Sequence, residues 1–172
     1  MDTGIPGATL FPQFINEYHH DWLVKKIDSQ PWSDSLKRRV RQYGWRYRYD
    51  RSEMTRERDY LGILPEWLER LSFRLRPFQQ CLIDQIIVND YQPGQKIGRH
   101  IDHMRYFGDK IISLSLLGDG VLVFRNAGEV VEVPVKSRDL LVMSGEARYK
   151  WSHELKPVKS RRVSVTFRQV IV

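Results

Sequence analysis

Apolar positions recur at helical spacing only in the first half of the chain. Phe14, Tyr18, Trp22, Leu23 and Ile27 fall on one stripe, which predicts an amphipathic helix over 14–27 closed by Pro31. A second helix is predicted after Pro65, a residue suited to a first helical position, with Trp67, Leu68, Leu71 and Leu75 as its stripe and Pro77 as its stop. Between the two, 45–49 alternates strictly. Trp45, Tyr47 and Tyr49 share one face and Arg46 and Arg48 the other, which is strand spacing. From Cys81 onward a period of two dominates. Strands are predicted over 82–88, 111–117, 121–124, 130–135, 140–143 and 163–170, with Gly118-Asp119-Gly120 and Asn126-Ala127-Gly128 as turns. Helices first and strands later predict an α+β chain, in which helices buttress a mostly antiparallel sandwich or jelly roll. The 172 residues suit one domain, with 1–80 carrying the helices and 81–172 the β core.

Composition narrows the class. Apolar residues make up 41% of the chain and charged residues 28%, which excludes long disorder. No apolar run is long enough to span a bilayer, so no membrane partner is expected. Residues 1–6 show neither a basic start nor an apolar stretch, and Cys81 is the only cysteine. No disulfide within the chain and no cysteine zinc site follow from that count. A monomer in a reducing cytoplasm is expected, with the nucleus open to a eukaryotic chain. The net charge is +7, a balance that favours a polyanionic partner or simply a solubilising surface.

The charge is concentrated. Arg38, Arg39, Arg41, Arg46, Arg48, Arg51, Arg56 and Arg58 lie within one short stretch, with Tyr43, Trp45, Tyr47 and Tyr49 among them. Arginines suit phosphates and aromatic rings suit stacked bases. The plainer alternative is a β ribbon whose rings are core and whose arginines are solvated.

A different chemistry lies downstream. In a strand, His100 and Asp102 would face the same way, and His153 follows after several predicted strands. Two imidazoles and one carboxylate leave open positions on an octahedral metal, the ligand set of non-haem iron oxygenases. Near the C-terminus, Arg162, Ser164, Thr166 and Arg168 alternate with Val163, Val165 and Phe167. The apolar set reads as core. Two guanidinium groups on the other face of a buried strand suit a dicarboxylic acid.

Taken together these residues resemble the AlkB family of Fe(II)/2-oxoglutarate dioxygenases. The match runs over about 82–170. It comprises Asn89-Asp90-Tyr91 with Pro93-Gly94, His100-Ile101-Asp102, the stretch from Gly145 to His153, and the arginine pair Arg162 and Arg168. The resemblance implies iron held by His100, Asp102 and His153, and 2-oxoglutarate held by Asn89, Tyr91, Arg162, Ser164 and Arg168. Arg162 with Tyr91 would take the distal carboxylate, and Arg168 would lie near the keto end. It further implies a double-stranded β-helix core, O2 as second co-substrate, and a basic lid before the core that grips single-stranded DNA or RNA. Trp45, Arg46, Tyr47, Arg48, Tyr49, Arg51 and Arg148 are the expected substrate contacts. The expected reaction is oxidation of alkyl groups on nucleic-acid bases, most simply N-demethylation. Met104 stands where repair members of the family carry a carboxylate, and 146–151 resembles the branch acting on transfer RNA wobble uridines. A transfer RNA hydroxylase and a protein side-chain hydroxylase are the alternative readings.

Overall fold

The computed structural model describes residues 1–32, 38–49, 52–79 and 82–172. A short strand, β1 (Ala8–Phe11), leads into helix α1 (Glu17–Asp28). Asn16 caps α1 by accepting the His19 backbone N–H, and Ser29 closes it. Leu23 and Ile27 face the core, whereas Tyr18 and Trp22 are exposed. The predicted stripe is thus half right: α1 begins after Phe14, and its buried face is narrower than the aromatic spacing suggested.

Strand β2 (Arg39–Tyr43) and the short helices α2 (Arg56–Asp59) and α3 (Glu66–Arg74) follow. Pro65 is the N-cap of α3 rather than its first turn, and Trp67, Leu68 and Leu71 with Leu75 are buried as predicted. The strand predicted over 45–49 does not form. Gly44 has φ +75°, and a Cβ on it would lie 1.7 Å from the Asp84 carbonyl oxygen, so the chain turns there at a point only glycine fits. The pairing stops at Tyr43. Beyond it the side chain of Gln42 replaces a strand neighbour: it accepts the Tyr47 N–H at 2.6 Å and donates to the Tyr47 carbonyl at 3.1 Å.

The β core comprises β3 (Gln85–Tyr91), β4 (Ile97–His100), β5 (Ile111–Leu117), β6 (Gly120–Asn126), β7 (Glu129–Val135), β8 (Leu140–Met143), the short helix α4 (Gly145–Tyr149), β9 (Ser152–Leu155) and β10 (Arg162–Arg168). They form a six-stranded sheet, in the order β1-β8-β5-β10-β3-β2, and a four-stranded sheet, β4-β9-β6-β7. Every described pairing between strands is antiparallel. This is the expected jelly-roll architecture.

The larger sheet is covered on both faces. One face, with Ile86, Val88, Leu114, Val163, Val165 and Phe167, packs against α1 and α3. The alternating positions turn to the other side, where Ile87, Asn89, Tyr91, Arg162, Ser164 and Arg168 line a cavity. Double coverage explains the shifted boundaries of β3. Its apolar run ends at Val88, but pairing with β2 and β10 carries the buried strand on to Tyr91. Among the described residues no helix is long and apolar enough to cross a membrane.

Candidate active site

The smaller sheet positions the two histidines. β4 and β9 pair so that His100 lies directly across from His153, with ring centroids 4.4 Å apart. β4 ends at His100, and Asp102 comes two residues later from the loop that follows. Ligand atoms of His100, Asp102 and His153 all lie within 4.8 Å of one another. The His153 Nε2 is 3.5 Å from Asp102 Oδ2. His100 Nδ1 sits 2.8 Å from the Gly98 carbonyl, so an Nδ1–H donated there leaves the Nε2 lone pair facing the site.

The electrostatics favour a cation. Burial pushes the Asp102 carboxyl up, but the Arg168 guanidinium and the two histidines outweigh it and hold it well below the ordinary carboxylate range. Burial pushes the His153 imidazole down to about 4 against the pull of Asp102. At neutral pH the site therefore offers one carboxylate and a neutral His153, the protonation states a divalent metal needs. The donor set fits iron(II) and leaves open coordination positions.

The larger sheet supplies a second group of residues in register. On the paired strands β3 and β10, Tyr91 lies across from Arg162, Asn89 from Ser164 and Gln85 from Arg168. Arg162 is 2% exposed, and its described partners are the Gly118 carbonyl at 2.9 Å and the Ser115 hydroxyl at 2.8 Å. Its Nε has no partner, and no carboxylate pairs with it among the described residues. A buried guanidinium answered only by neutral acceptors suits an anion. Gly120 makes room for it, since a Cβ there would approach Arg162 Nε to 3.1 Å. At the other end Arg168 donates to Asp102 Oδ1 and, at 3.2 Å, to Gln85 Oε1. Arg168, expected near the keto end of 2-oxoglutarate, thus touches the Asp102 carboxylate itself. Arg161 points away and pairs with Asp28 and Asp90.

The residues expected to touch substrate are distributed differently. Tyr47 and Tyr49 line the cavity, their rings 5.1 Å apart at right angles. Arg46 is exposed. Trp45 is 5% exposed, belongs to the core and meets the ring of the more exposed Tyr60 edge-on, so it is not available to a base. Arg48 bonds at 2.7 Å to Asp59, a fully buried carboxylate, so its charge is already answered within the protein. Arg148 is 2% exposed and donates to the carbonyls of Asp102, His103, Phe107 and Gly108. It clamps the loop that carries Asp102, and a contact to substrate would cost it four acceptors. Arg51 lies outside the described residues.

Two cavity residues were not singled out by sequence. Arg38 donates from Nε to Asn89 Oδ1 at 2.9 Å and lies over the rings of Tyr49 and Tyr91. It links the basic segment to the β3–β10 wall of the cavity. His103 stacks on Tyr106 with centroids 4.0 Å apart. Arg38 stood in the arginine-rich run but was one of eight; only the fold distinguishes it.

Comparison with known proteins gives a consistent picture. The family model described as "2OG-Fe(II) oxygenase superfamily" matches residues 7–168. A Xenopus tropicalis protein named tRNA (carboxymethyluridine(34)-5-O)-methyltransferase alkbh8 is 33% identical over 175 residues, covering 96% of this chain and 28% of its own length. An Arabidopsis thaliana protein named "Alkylated DNA repair protein ALKBH8 homolog" is 31% identical over 208 residues, covering 98% of this chain and 60% of its own. The chain thus spans less than two thirds of either relative. Among solved structures, OsALKBH1 superposes with a TM-score of 0.77 at 16% identity, over 95% of this chain and 98% of that one, a likeness of fold.

Proposed function

The chain belongs to the 2OG-Fe(II) oxygenase superfamily, within its AlkB family, and on that premise we propose that it oxidises alkyl groups on nucleic-acid bases. The carrying observation is the buried Arg162 guanidinium without a carboxylate partner, on the same cavity wall that ends at Asp102. A five-carbon diacid that reaches both ends of that wall meets both needs.

In this reading His100, Asp102 and His153 hold Fe(II), and Arg162, Tyr91, Asn89, Ser164 and Arg168 hold 2-oxoglutarate. With O2, that metal and keto-acid supply the conversion of one C–H bond to C–OH, with release of succinate and carbon dioxide. The protein's own work is orientation. Arg162 fixes the distal carboxylate, Arg168 restrains Asp102, and Arg148 restrains the backbone that carries it. Tyr47, Tyr49 and Arg38 shape the wall a base would enter against. Arg46 is the exposed cation placed to meet phosphate. On an N-methyl group the hydroxylated product loses formaldehyde and leaves the bare nitrogen. The partner is single-stranded DNA or RNA, met by a monomer in the cytoplasm.

One observation favours a second reading. Met104 is 48% exposed, where an acidic contact to a damaged base would be expected in repair members. With no carboxylate there, hydroxylation of a modified uridine in transfer RNA gains weight. The frog relative's name carries that substrate class for the frog protein. Incubation with methylated DNA and RNA oligomers and with transfer RNA, in the presence of iron and 2-oxoglutarate, separates the two. Nucleoside mass spectrometry with a chelator control should show loss of a methyl group and release of formaldehyde. A product that gains one oxygen and keeps its carbon selects the hydroxylase. Succinate formed with no nucleoside change in any oligomer sinks both.

A further inference from the structure

A second cleft lies on the helix side of the molecule, between α3 and the turn over 60–64. Its volume is about 600 Å³, and it shares no lining residue with the metal cavity. The residue of interest there is Gln79. It is 2% exposed, lines the cleft, and among the described residues neither Nε2 nor Oε1 has a hydrogen-bond partner. The Ser72 hydroxyl, also on the cleft wall, is likewise without a partner among the described residues. Buried polar side-chain atoms are nearly always satisfied, so a primary amide with both ends free needs an explanation. The rim is apolar and exposed: Ile63 is 90% exposed, Leu82 71% and Phe73 61%. Large apolar side chains gathered at one cleft mark an interaction site rather than a solvated surface.

We infer that this cleft binds an extended peptide segment of another protein, with one backbone amide of that segment paired to Gln79. A glutamine side chain is itself an amide. Its carbonyl accepts one N–H and its NH2 donates to one C=O, which matches the pair that a single residue of an extended strand presents along one edge. Ile63, Phe73 and Leu82 then receive the alternating apolar side chains of the segment. A base edge would also satisfy an amide. The charge argues against it: Glu69 and Asp84 both line the cleft, and Arg76, the only arginine among its described lining residues, lies 4.3 Å over the Phe73 ring. A polyanion gains little there, whereas a neutral backbone does not meet that repulsion.

The test is nuclear magnetic resonance on the whole chain. The probe is a pool of capped octapeptides with Leu, Ile, Val, Phe or Tyr at alternate positions and Ser or Gly between. Members of the pool should shift the Gln79 side-chain amide pair and the Ile63 and Leu82 methyl signals saturably. Methylating the central backbone nitrogen of a binding peptide should weaken it at least tenfold. Gln79→Leu should weaken it similarly while raising the melting temperature, since two unsatisfied atoms are removed. Ile63→Ser, at a position too exposed to affect folding, should weaken it severalfold and leave 2-oxoglutarate turnover unchanged. Failure of the whole pool overturns the inference, as does binding that ignores N-methylation or either variant. Shifts of the same signals by an oligonucleotide, or on simple dilution of the protein, overturn it in favour of a nucleic acid or a second copy.

Discussion

Two regions meet at the metal cavity and are built in different ways. The β3–β10 wall presents its functional side chains in rows, Tyr91 with Arg162 and Asn89 with Ser164, held by the β3–β10 ladder, with β2 and β5 flanking the Asn89–Ser164 row. The segment over 45–60 presents Tyr47 and Tyr49, but sends Trp45 into the core and pairs Arg48 with Asp59. In the wall, the ladder decides which way a side chain points. In the segment, each side chain is decided by whichever partner it finds: Gln42 for the Tyr47 backbone, Tyr60 for the Trp45 ring, Asp59 for Arg48. Regular pairing makes orientation a matter of counting; without it, identical residue types acquire different roles.

The largest expected effect falls where the two sheets converge. His153→Ala should abolish iron-dependent succinate formation from 2-oxoglutarate while keeping a cooperative melt. Turnover at the wild-type rate would break the picture of a shared metal centre.

Next comes the contrast between neighbours on the wall. Arg162→Ala should leave the diacid's carboxylate unpaired in a buried site, a loss of about 3–5 kcal/mol, or roughly two to three and a half decades in affinity. Arg161→Ala, whose partners Asp28 and Asp90 lie away from the cavity, should change 2-oxoglutarate affinity less than threefold. Calorimetric titration under anaerobic conditions reads both; a reversal of their order would shift the register of β10 by one residue.

The segment over 45–60 carries smaller effects, and they separate structural from contacting arginines. Burial pushes the Asp59 carboxyl up, and the Thr55 N–H and Arg48 guanidinium outweigh it, holding it below its ordinary range. Asp59→Asn should cost about 1.5–3 kcal/mol, the worth of hydrogen bonds to a charged group. A carboxyl lowered in the folded state stabilises above its unfolded pKa and loses that contribution as pH falls through the folded value. Thermal melts of wild type and Asp59→Asn should therefore differ at neutral pH and converge in acid. A gap that persists in acid would show that the pair's charge is not the cause.

Arg46→Ala is the mildest change. It should leave the melt unaltered and flatten the log–log salt dependence of oligonucleotide binding by about 0.7, one phosphate contact on a single strand. Fluorescence anisotropy over a salt series measures it, and an unchanged slope removes Arg46 from the interface.

The wall was legible from the sequence because alternation of Val163, Val165 and Phe167 with Arg162, Ser164 and Arg168 is a direct image of a strand covered on one side by helices. The strands holding the histidines were not legible from hydrophobicity. β4 reads Ile97-Gly98-Arg99-His100 and β9 reads Ser152-His153-Glu154-Leu155, too short and too polar to show a period. Their ligands were found through chemical type and resemblance instead. The 45–49 alternation misled because its rings and arginines have the spacing of a strand, while Gly44, whose close approach to Asp84 is visible only in three dimensions, ends the pairing before it. Arg148 looked like a substrate contact because a charged residue near a ligand histidine usually is exposed. Nothing local announces the four carbonyls that enclose it.

Those carbonyls also bear on the order of assembly. Arg148 reaches back across 46 residues to the Asp102 carbonyl and 40 to that of Gly108, so the backbone around the carboxylate is secured only after the chain through α4 has docked. Contacts of such separation form late, after loop closure has been achieved elsewhere. The two strands that face their histidines together are likewise distant in sequence. Iron is thus expected to arrive late, not to be a nucleus around which the chain gathers. Refolding from denaturant, followed by stopped-flow tryptophan fluorescence, should show the same early phases with and without Fe(II), and an iron-dependent acceleration of the first phase would reverse that order.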